Sequence, residues 1–221
     1  MTHRVALQST LKITPDTTYY TFDRPEGYSF VPGEATELAI DHPDWRDEKR
    51  PFTFVSDPDA NILAFVIKSY PERDGVTAHL PSLNPGDHVL LDDPWGAIRD
   101  SGPGVFIAAG AGITPFIGIL KARARRRDLN GCRLIFGAKT RDDIILKHFW
   151  CGLQSLETNF VLSDPRGAEE KAERIDGDFL DTYIEDWDQR FYVCGPPEFE
   201  EDIVSRLKSR GVPDERIVRE E

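Results

Sequence analysis

Four short stretches of this 221-residue chain gather residue types able to do chemistry. The first is Phe106-Ile107-Ala108-Ala109-Gly110-Ala111-Gly112-Ile113-Thr114-Pro115. An apolar run enters Gly-Ala-Gly and a helix-like segment follows, which reads as a buried strand, a tight turn and a helix start. Glycine there lets the backbone approach a ligand closely and adopt positive φ. The unpaired N–H groups and positive dipole end of the next helix suit a pyrophosphate. Pro115 stands where the third glycine of the dinucleotide pattern would fall, so a plain packing turn is the competing reading. The second stretch is Arg50-Pro51-Phe52-Thr53. A guanidinium can hold a phosphate bidentately. Phe52 shares a strand face with Arg50, where a flat aromatic can cover a flat ring, and Thr53 adds a hydroxyl on the other face or at the strand edge. Taken alone, the segment also reads as an ordinary strand with a surface arginine.

The third stretch is Gly75-Val76-Thr77, at the start of a short predicted helix. Thr77 suits an N-cap or first-turn position, and its hydroxyl either caps the helix or joins nearby N–H groups on a phosphate. The fourth is Cys194-Gly195-Pro196-Pro197. A buried cysteine packs well as a small apolar side chain. As a nucleophile it would want a base or a depressed pKa, and no histidine lies near it in sequence.

Two kinds of element must carry these stretches. Residues 1–100 read as short strands separated by Pro, Gly and Asp: 5–13, 19–22, 36–40, 52–55, 62–67 and 88–91. Regular turn signals between them predict an antiparallel barrel or sandwich. Ser101-Gly102-Pro103-Gly104 reads as a linker. From 101 to 221 the rhythm becomes strand, helix, strand, helix, with strands at 105–109, 132–137, 159–163 and 190–195 and a last short one at 217–218. Helices are expected at 116–127, 143–153, from 177, and at 196–210. That alternation predicts a parallel α/β sheet, whose ligands sit beyond the strand C-termini. Gly110, Thr140 and Arg141, Ser163 to Arg166, and Cys194 all fall at that edge.

Composition narrows the function classes. With 39% hydrophobic and 30% charged residues the chain reads as globular, and no run approaches the roughly 18 apolar residues of a membrane span. A net charge of −12 argues against nucleic acid and anionic membrane as partners. The arginines at 123 and 125–127 then read as a complement to a helix C-terminus or as a solvated face. The three cysteines are scattered, which argues against a disulfide framework and against a zinc or iron–sulfur centre. The cytoplasm is the expected compartment, and the sequence is silent on oligomeric state.

Pro32-Gly33-Glu34, Arg50-x-Phe52-Thr53, Gly75-Val76-Thr77, Gly110-Ala111-Gly112-Ile113-Thr114-Pro115 and Cys194-Gly195-Pro196-Pro197 occur in the order and spacing of the ferredoxin–NADP reductase family. The resemblance spans nearly the whole chain. It implies a six-stranded antiparallel FAD-binding β-barrel over 1–100 and a Rossmann-like NAD(P)-binding α/β domain over 101–221. It also implies a flavin-dependent oxidoreductase that takes hydride from NAD(P)H. By resemblance, Arg50 with Pro51 holds the flavin pyrophosphate, Phe52 stacks on the flavin ring and Thr53 hydrogen-bonds near its reactive nitrogen. Val66, Ile67 and Lys68 meet the ring edge, and Gly75, Val76 and Thr77 form a second phosphate loop. Gly110 to Pro115 hold the nicotinamide nucleotide, with Thr140 and Arg141 near its adenosine ribose and a slight lean to NADPH over NADH. Cys194, with Gly195 and Pro196, orients the nicotinamide, so Thr53 and Cys194 are the residues nearest the chemistry.

Phe and Thr replace the family's Tyr and Ser in the flavin motif, and the chain ends in Glu220-Glu221 rather than an aromatic. Trp95 is a candidate to pack near the cofactor, with core or interface packing as its alternative. The electron acceptor implied is flavodoxin or ferredoxin. The alternatives are an oxygenase or small-molecule acceptor served by a reductase component or diaphorase, or a non-catalytic protein that binds flavin without turnover.

Overall fold

The computed structural model describes residues 1–96, 98–165 and 171–220, and the chain forms two compact units. The first comprises Met1–Arg99 together with Thr114–Ala122. Its strands are β1 (His3–Thr14), β2 (Thr17–Asp23), β3 (Ala35–Ile40), β4 (Arg50–Thr53), β5 (Ile62–Lys68) and β6 (His88–Leu91), with a short helix α1 (Val76–His79) before β6. The sheet order is β4-β3-β6-β1-β2-β5 and every neighbouring pair is antiparallel. The two end strands meet just beyond β4. There Phe54 bridges Phe65, and the Val55 N–H donates to Ala64 O at 2.9 Å, so the sheet closes on itself. Closure buries Tyr20, Phe22, Leu38, Phe54 and Phe65, with Phe30 stacked on Phe54 at 4.2 Å between ring centroids.

In β1, expected as a strand over 5–13, the apolar residues at 5, 7, 11 and 13 do not share one buried face. Val5 and Leu7 are buried, but Leu11 is 64% exposed. A register shift between Leu7 and Ser9 explains it, because one extra residue turns every following side chain to the opposite face.

The second unit comprises Asp100–Ile113 and Arg123–Glu221. It contains β7 (Val105–Ala109), β8 (Arg133–Ala138), α3 (Lys147–Gly152), β9 (Glu157–Leu162), α4 (Gly177–Tyr183), β10 (Phe191–Cys194), α5 (Pro197–Ser209) and β11 (Ile217–Val218). The strands are parallel in the order β11-β10-β7-β8-β9. The chain steps outward from β7 through β8 to β9, then returns to the other side of β7 with β10. The order therefore reverses between β7 and β10, which is where open α/β sheets bind ligands.

Three expectations need correction. A single cut at residue 100 misses the helix after β7, α2 (Thr114–Arg125), whose Thr114–Ala122 portion groups with the first unit. Gly118 lets the helix lie close there: a Cβ on it would sit 3.3 Å from Phe54 O and 3.5 Å from Gly33 N. Lys121 Nζ also donates to Val55 O at 3.2 Å. Second, the helix expected over 143–153 is shorter. A 3-10 turn spans Arg141–Asp143, and α3 begins only after Leu146, which adopts a left-handed φ of 54°. Third, Arg123 is neither a dipole ornament nor part of a solvated face. It is 3% exposed and its guanidinium holds Asp100 Oδ1 and Asp128 Oδ2, while Arg126 holds the other oxygen of Asp100. The linker is thereby tied down, and the hydroxyl of Tyr192 adds bonds to Ser101 N and Gly102 O. Trp95 bridges Ala35 through its backbone, yet it is 47% exposed and is not a core residue.

Candidate functional site

Within the first unit the predicted flavin residues flank one feature, the incompletely closed seam between β4 and β5. The antiparallel bridge at Phe54–Phe65 would, if continued, pair Thr53 with Val66 and Phe52 with Ile67. No such ladder forms, and among the described residues no backbone hydrogen bond joins 50–53 to 66–68. Beyond the Phe54–Phe65 bridge, β4 and β5 lie close without a ladder between them. Strand edges outside a ladder are suited to meeting a flat polar ring.

The side chains at the seam are of fitting kinds. Phe52 is half-buried and packs against the barrel core, and Thr53 is buried. Arg50 is exposed, held by Glu48 Oε2 at 3.1 Å and Lys49 O at 2.7 Å. Val66 and Ile67 are buried, and Lys68 pairs with Asp16 at 2.7 Å. Gly75 precedes α1 in an extended conformation, and a Cβ there would meet nothing within 4 Å. Val76 is buried and Thr77, in the first turn, is half-buried.

In the second unit, the edge where the strand order reverses is built from the ends of β7 and β10. After Ala109 the chain makes a 3-10 turn, Gly110–Ile113, and Gly110 has φ of 55°, a conformation that glycine adopts without strain. A Cβ on Gly110 would meet nothing, so the turn faces open space. Gly112 is the opposite case. A Cβ there would lie 2.3 Å from Cys194 O and 2.6 Å from Gly195 N, so only hydrogen fits between the two segments. A Cβ on Gly195 would meet the Phe199 ring at 2.6 Å. The Gly110 turn and the Cys194-Gly195 corner are thus locked together at the end of the sheet, with Pro196 exposed beside them as the residue before α5.

Sequence reasoning missed one contributor. The Gly195 N–H donates to Glu200 Oε1 at 2.9 Å, which fixes the corner from α5. A carboxylate five residues past a glycine, in the first turns of a helix, is the signal that pointed to it. Burial raises the Glu200 carboxyl above its ordinary value, against the Gly195 bond, with the Glu220 charge adding to the rise. Cys194 is buried, and burial followed by the charges of Glu220 and Glu200 pushes its thiol well above the usual cysteine range. A thiol kept neutral is a poor nucleophile, so packing against a bound ring suits it better than covalent chemistry.

Thr140 lies beyond β8, but its hydroxyl and N–H both donate to Asp143 Oδ2, at 2.7 and 2.9 Å. It shapes the loop and leaves Lys139, Arg141 and Asp142 as the exposed charges there. Ser163 to Pro165 follow β9, while Arg166 lies outside the described residues.

Residues 106–205 match the family described as the oxidoreductase NAD-binding domain. The whole-chain fold matches a ferredoxin NADP+ reductase from Neisseria gonorrhoeae solved with bound FAD and NADP, at a TM-score of 0.82 and 22% identity over 99% of this chain and 97% of that one. The fold is that of the ferredoxin–NADP reductase-like proteins, and residues 106–205 carry the oxidoreductase NAD-binding domain. Other likenesses agree. The CS-b5R domains of human Ncb5or in their NAD+ form superpose with a TM-score of 0.87 and 26% identity, covering 99% of this chain and 69% of that one. A component of the Na(+)-translocating NADH-quinone reductase of Pasteurella multocida (strain Pm70) is 26% identical over 90% of this chain. That alignment covers 55% of the component, so the chain spans about half the length of the curated relatives it matches. Among the described residues no helix is long and apolar enough to cross a membrane, and no group of side chains is arranged to hold a metal ion.

Proposed function

We propose that this chain is an NAD(P)H-dependent, FAD-containing oxidoreductase that accepts hydride from a reduced nicotinamide and delivers electrons onward to a protein acceptor such as flavodoxin or ferredoxin. The observation that carries the reading is the junction of β4 and β5 at Phe54 and Phe65, which gathers on two adjoining strands the residues that the family likeness gives to the flavin. FAD, when bound, supplies the hydride-accepting and one-electron chemistry that no amino-acid side chain offers.

The chain's own residues do the positioning. Phe52 covers one face of the ring, and Thr53 presents a hydroxyl at its edge. The backbone of Val66 to Lys68 offers hydrogen-bonding groups from the opposite strand. Arg50, with Pro51 keeping the strand extended, neutralises diphosphate charge, helped by the turn Gly75 to Thr77. In the second unit, Gly110 to Ile113 receive the nicotinamide nucleotide's phosphates, and Arg141 serves its adenosine end. The Cys194-Gly195-Pro196 corner gives the nicotinamide a packed, uncharged wall.

The net charge of −12 supports a second reading for the acceptor. Acidic carriers are slowed by like charge, so an oxygenase component or a small-molecule acceptor is the alternative. The purified protein should be yellow, and its flavin colour should bleach anaerobically on adding NADPH or NADH, with the more effective nucleotide identifying the coenzyme. A colourless protein that takes up no added FAD would defeat the proposal. Flavin that stays oxidised with both nucleotides would leave only a non-catalytic binding protein. A panel of reduced-flavin oxidants, from ferredoxin to quinones, then ranks the acceptors.

A further inference from the structure

The segment between β3 and β4, residues 41–49, is folded onto itself by bonds from Trp45 N and Arg46 N to His42 O, both 2.9 Å, and from Glu48 N to Trp45 O at 3.1 Å. It runs directly into Arg50, whose guanidinium is anchored on its last two residues, Glu48 and Lys49. One contact ties this loop to the helix α1. The rings of Trp45 and His79 lie 3.9 Å apart between centroids with 33° between their planes. His79 Nδ1 is 3.0 Å from Gly75 O, and a carbonyl can only accept, so that nitrogen carries a proton. The other nitrogen, Nε2, sits 3.9 Å from Asp74 Oδ1.

A second proton therefore goes to Nε2, and it places a cation against the indole face and beside a carboxylate. Both contacts favour the stacked arrangement. From this juxtaposition we infer that Trp45 and His79 are positioning residues whose stack holds loop 41–49, and with it Arg50, in place for a flavin dinucleotide, more firmly when His79 is protonated. The inference rests on the flavin reading above. The sign is fixed by the geometry: the added grip is present at low pH and is lost as the imidazole gives up its proton.

Other charges on the packed elements are spoken for. Asp41 takes Arg4 and Arg46, Lys49 takes Asp92, and Arg73 stacks on Tyr70. His42, on the loop, lies 3.5 Å from Asp44, and Asp47 is an exposed carboxylate.

The test measures FAD dissociation constants from about pH 8 to about pH 5.5 for the parent protein, His79→Gln and His42→Gln. The parent should bind roughly two- to five-fold tighter at the acid end, as expected for an exposed cation–π contact. That slope should vanish in His79→Gln and persist in His42→Gln. An equal slope in His79→Gln, or its loss in His42→Gln alone, overturns the inference. A second readout needs no flavin. Trp45 emission, taken as the difference between the parent and Trp45→Phe, should fall on acidification, because a stacked imidazolium quenches indole, and should be flat in the His79→Gln background. If no flavin binds at any pH, the functional proposal fails while this emission titration still decides whether the stack responds to protonation. A flat Trp45 titration in the parent overturns the inference.

Discussion

Replacing Gly112 by alanine isolates the contact that locks the two halves of the nucleotide edge. The new Cβ would start 2.3 Å from Cys194 O, 2.5 Å from Cys194 C and 2.6 Å from Gly195 N, about 1 Å inside ordinary contact at 3.4 Å. All three obstacles are backbone, so no rotamer change relieves them, and β10 is pinned by its ladder to β7 and by the Glu200 bond. Relief requires the Gly110 turn to move outward. Overpacking of this kind costs about 2–3 kcal/mol. At about 2–4 °C per kcal/mol for a chain of this size, the melting temperature should fall by about 5–10 °C. Nicotinamide-nucleotide affinity should fall by about tenfold or more, since about 1.4 kcal/mol of lost fit is a factor of ten. Gly110→Ala is the control. It incurs only the left-handed backbone penalty of about 1–2 kcal/mol, with open space around the methyl. Melting curves and nucleotide titrations on both variants separate steric from conformational effects. A Gly112→Ala protein that melts and binds like the parent would refute the locked-corner account.

Further outcomes follow from the same structure. Phe52→Ala should loosen FAD by about tenfold while leaving the barrel folded, because Phe52 sits outside the fully buried core; this is read by flavin fluorescence on ultrafiltration. At neutral pH, Cys151 should react with a thiol reagent quickly, and Cys132 and Cys194 only slowly, because burial raises both thiols and shields them; mass spectrometry of the labelled peptides checks the order. Asp41 and Asp92 are held below the ordinary carboxylate value by their bonds to Arg4 and Lys49. Their contribution is complete above about pH 4 and is lost as the pH falls through the depressed values, so melting temperatures should drop below about pH 4, and less steeply in Asp92→Asn.

The strands were legible because their patterns are local: β7 and β6 fall on the expected residues, and α4 starts at the expected Gly177. The order reversal between β7 and β10 was not, since parallel pairing is set by crossovers that leave no mark on either strand's own residues. The bulge after Leu7 escaped because Leu11 and Ile13 keep the two-residue spacing of Val5 and Leu7, although Leu11 then faces water. Arg123 looked like its exposed neighbours, since composition does not tell which arginine of a basic run is itself buried against a carboxylate. At the candidate site, the residue types were visible as motifs, whereas their gathering depends on β4 and β5 meeting at Phe54 and Phe65, eleven residues apart in the chain. Glu200 and the Trp45–His79 stack depend on chain folding back over several to tens of residues, beyond what a short motif records.

The helix α2 has a practical consequence for anyone dividing this protein. Its first nine residues complete the barrel's own packing, with Ile119 Cδ1 3.1 Å from where a Cβ on Gly33 would stand and Gly118 lying along Phe54 and Pro32. A fragment truncated at residue 100 would therefore carry every strand of the barrel and still lack part of its wall. Expressed alone it should be soluble only with the missing segment restored, for instance by a permuted chain that appends 114–122 after residue 99.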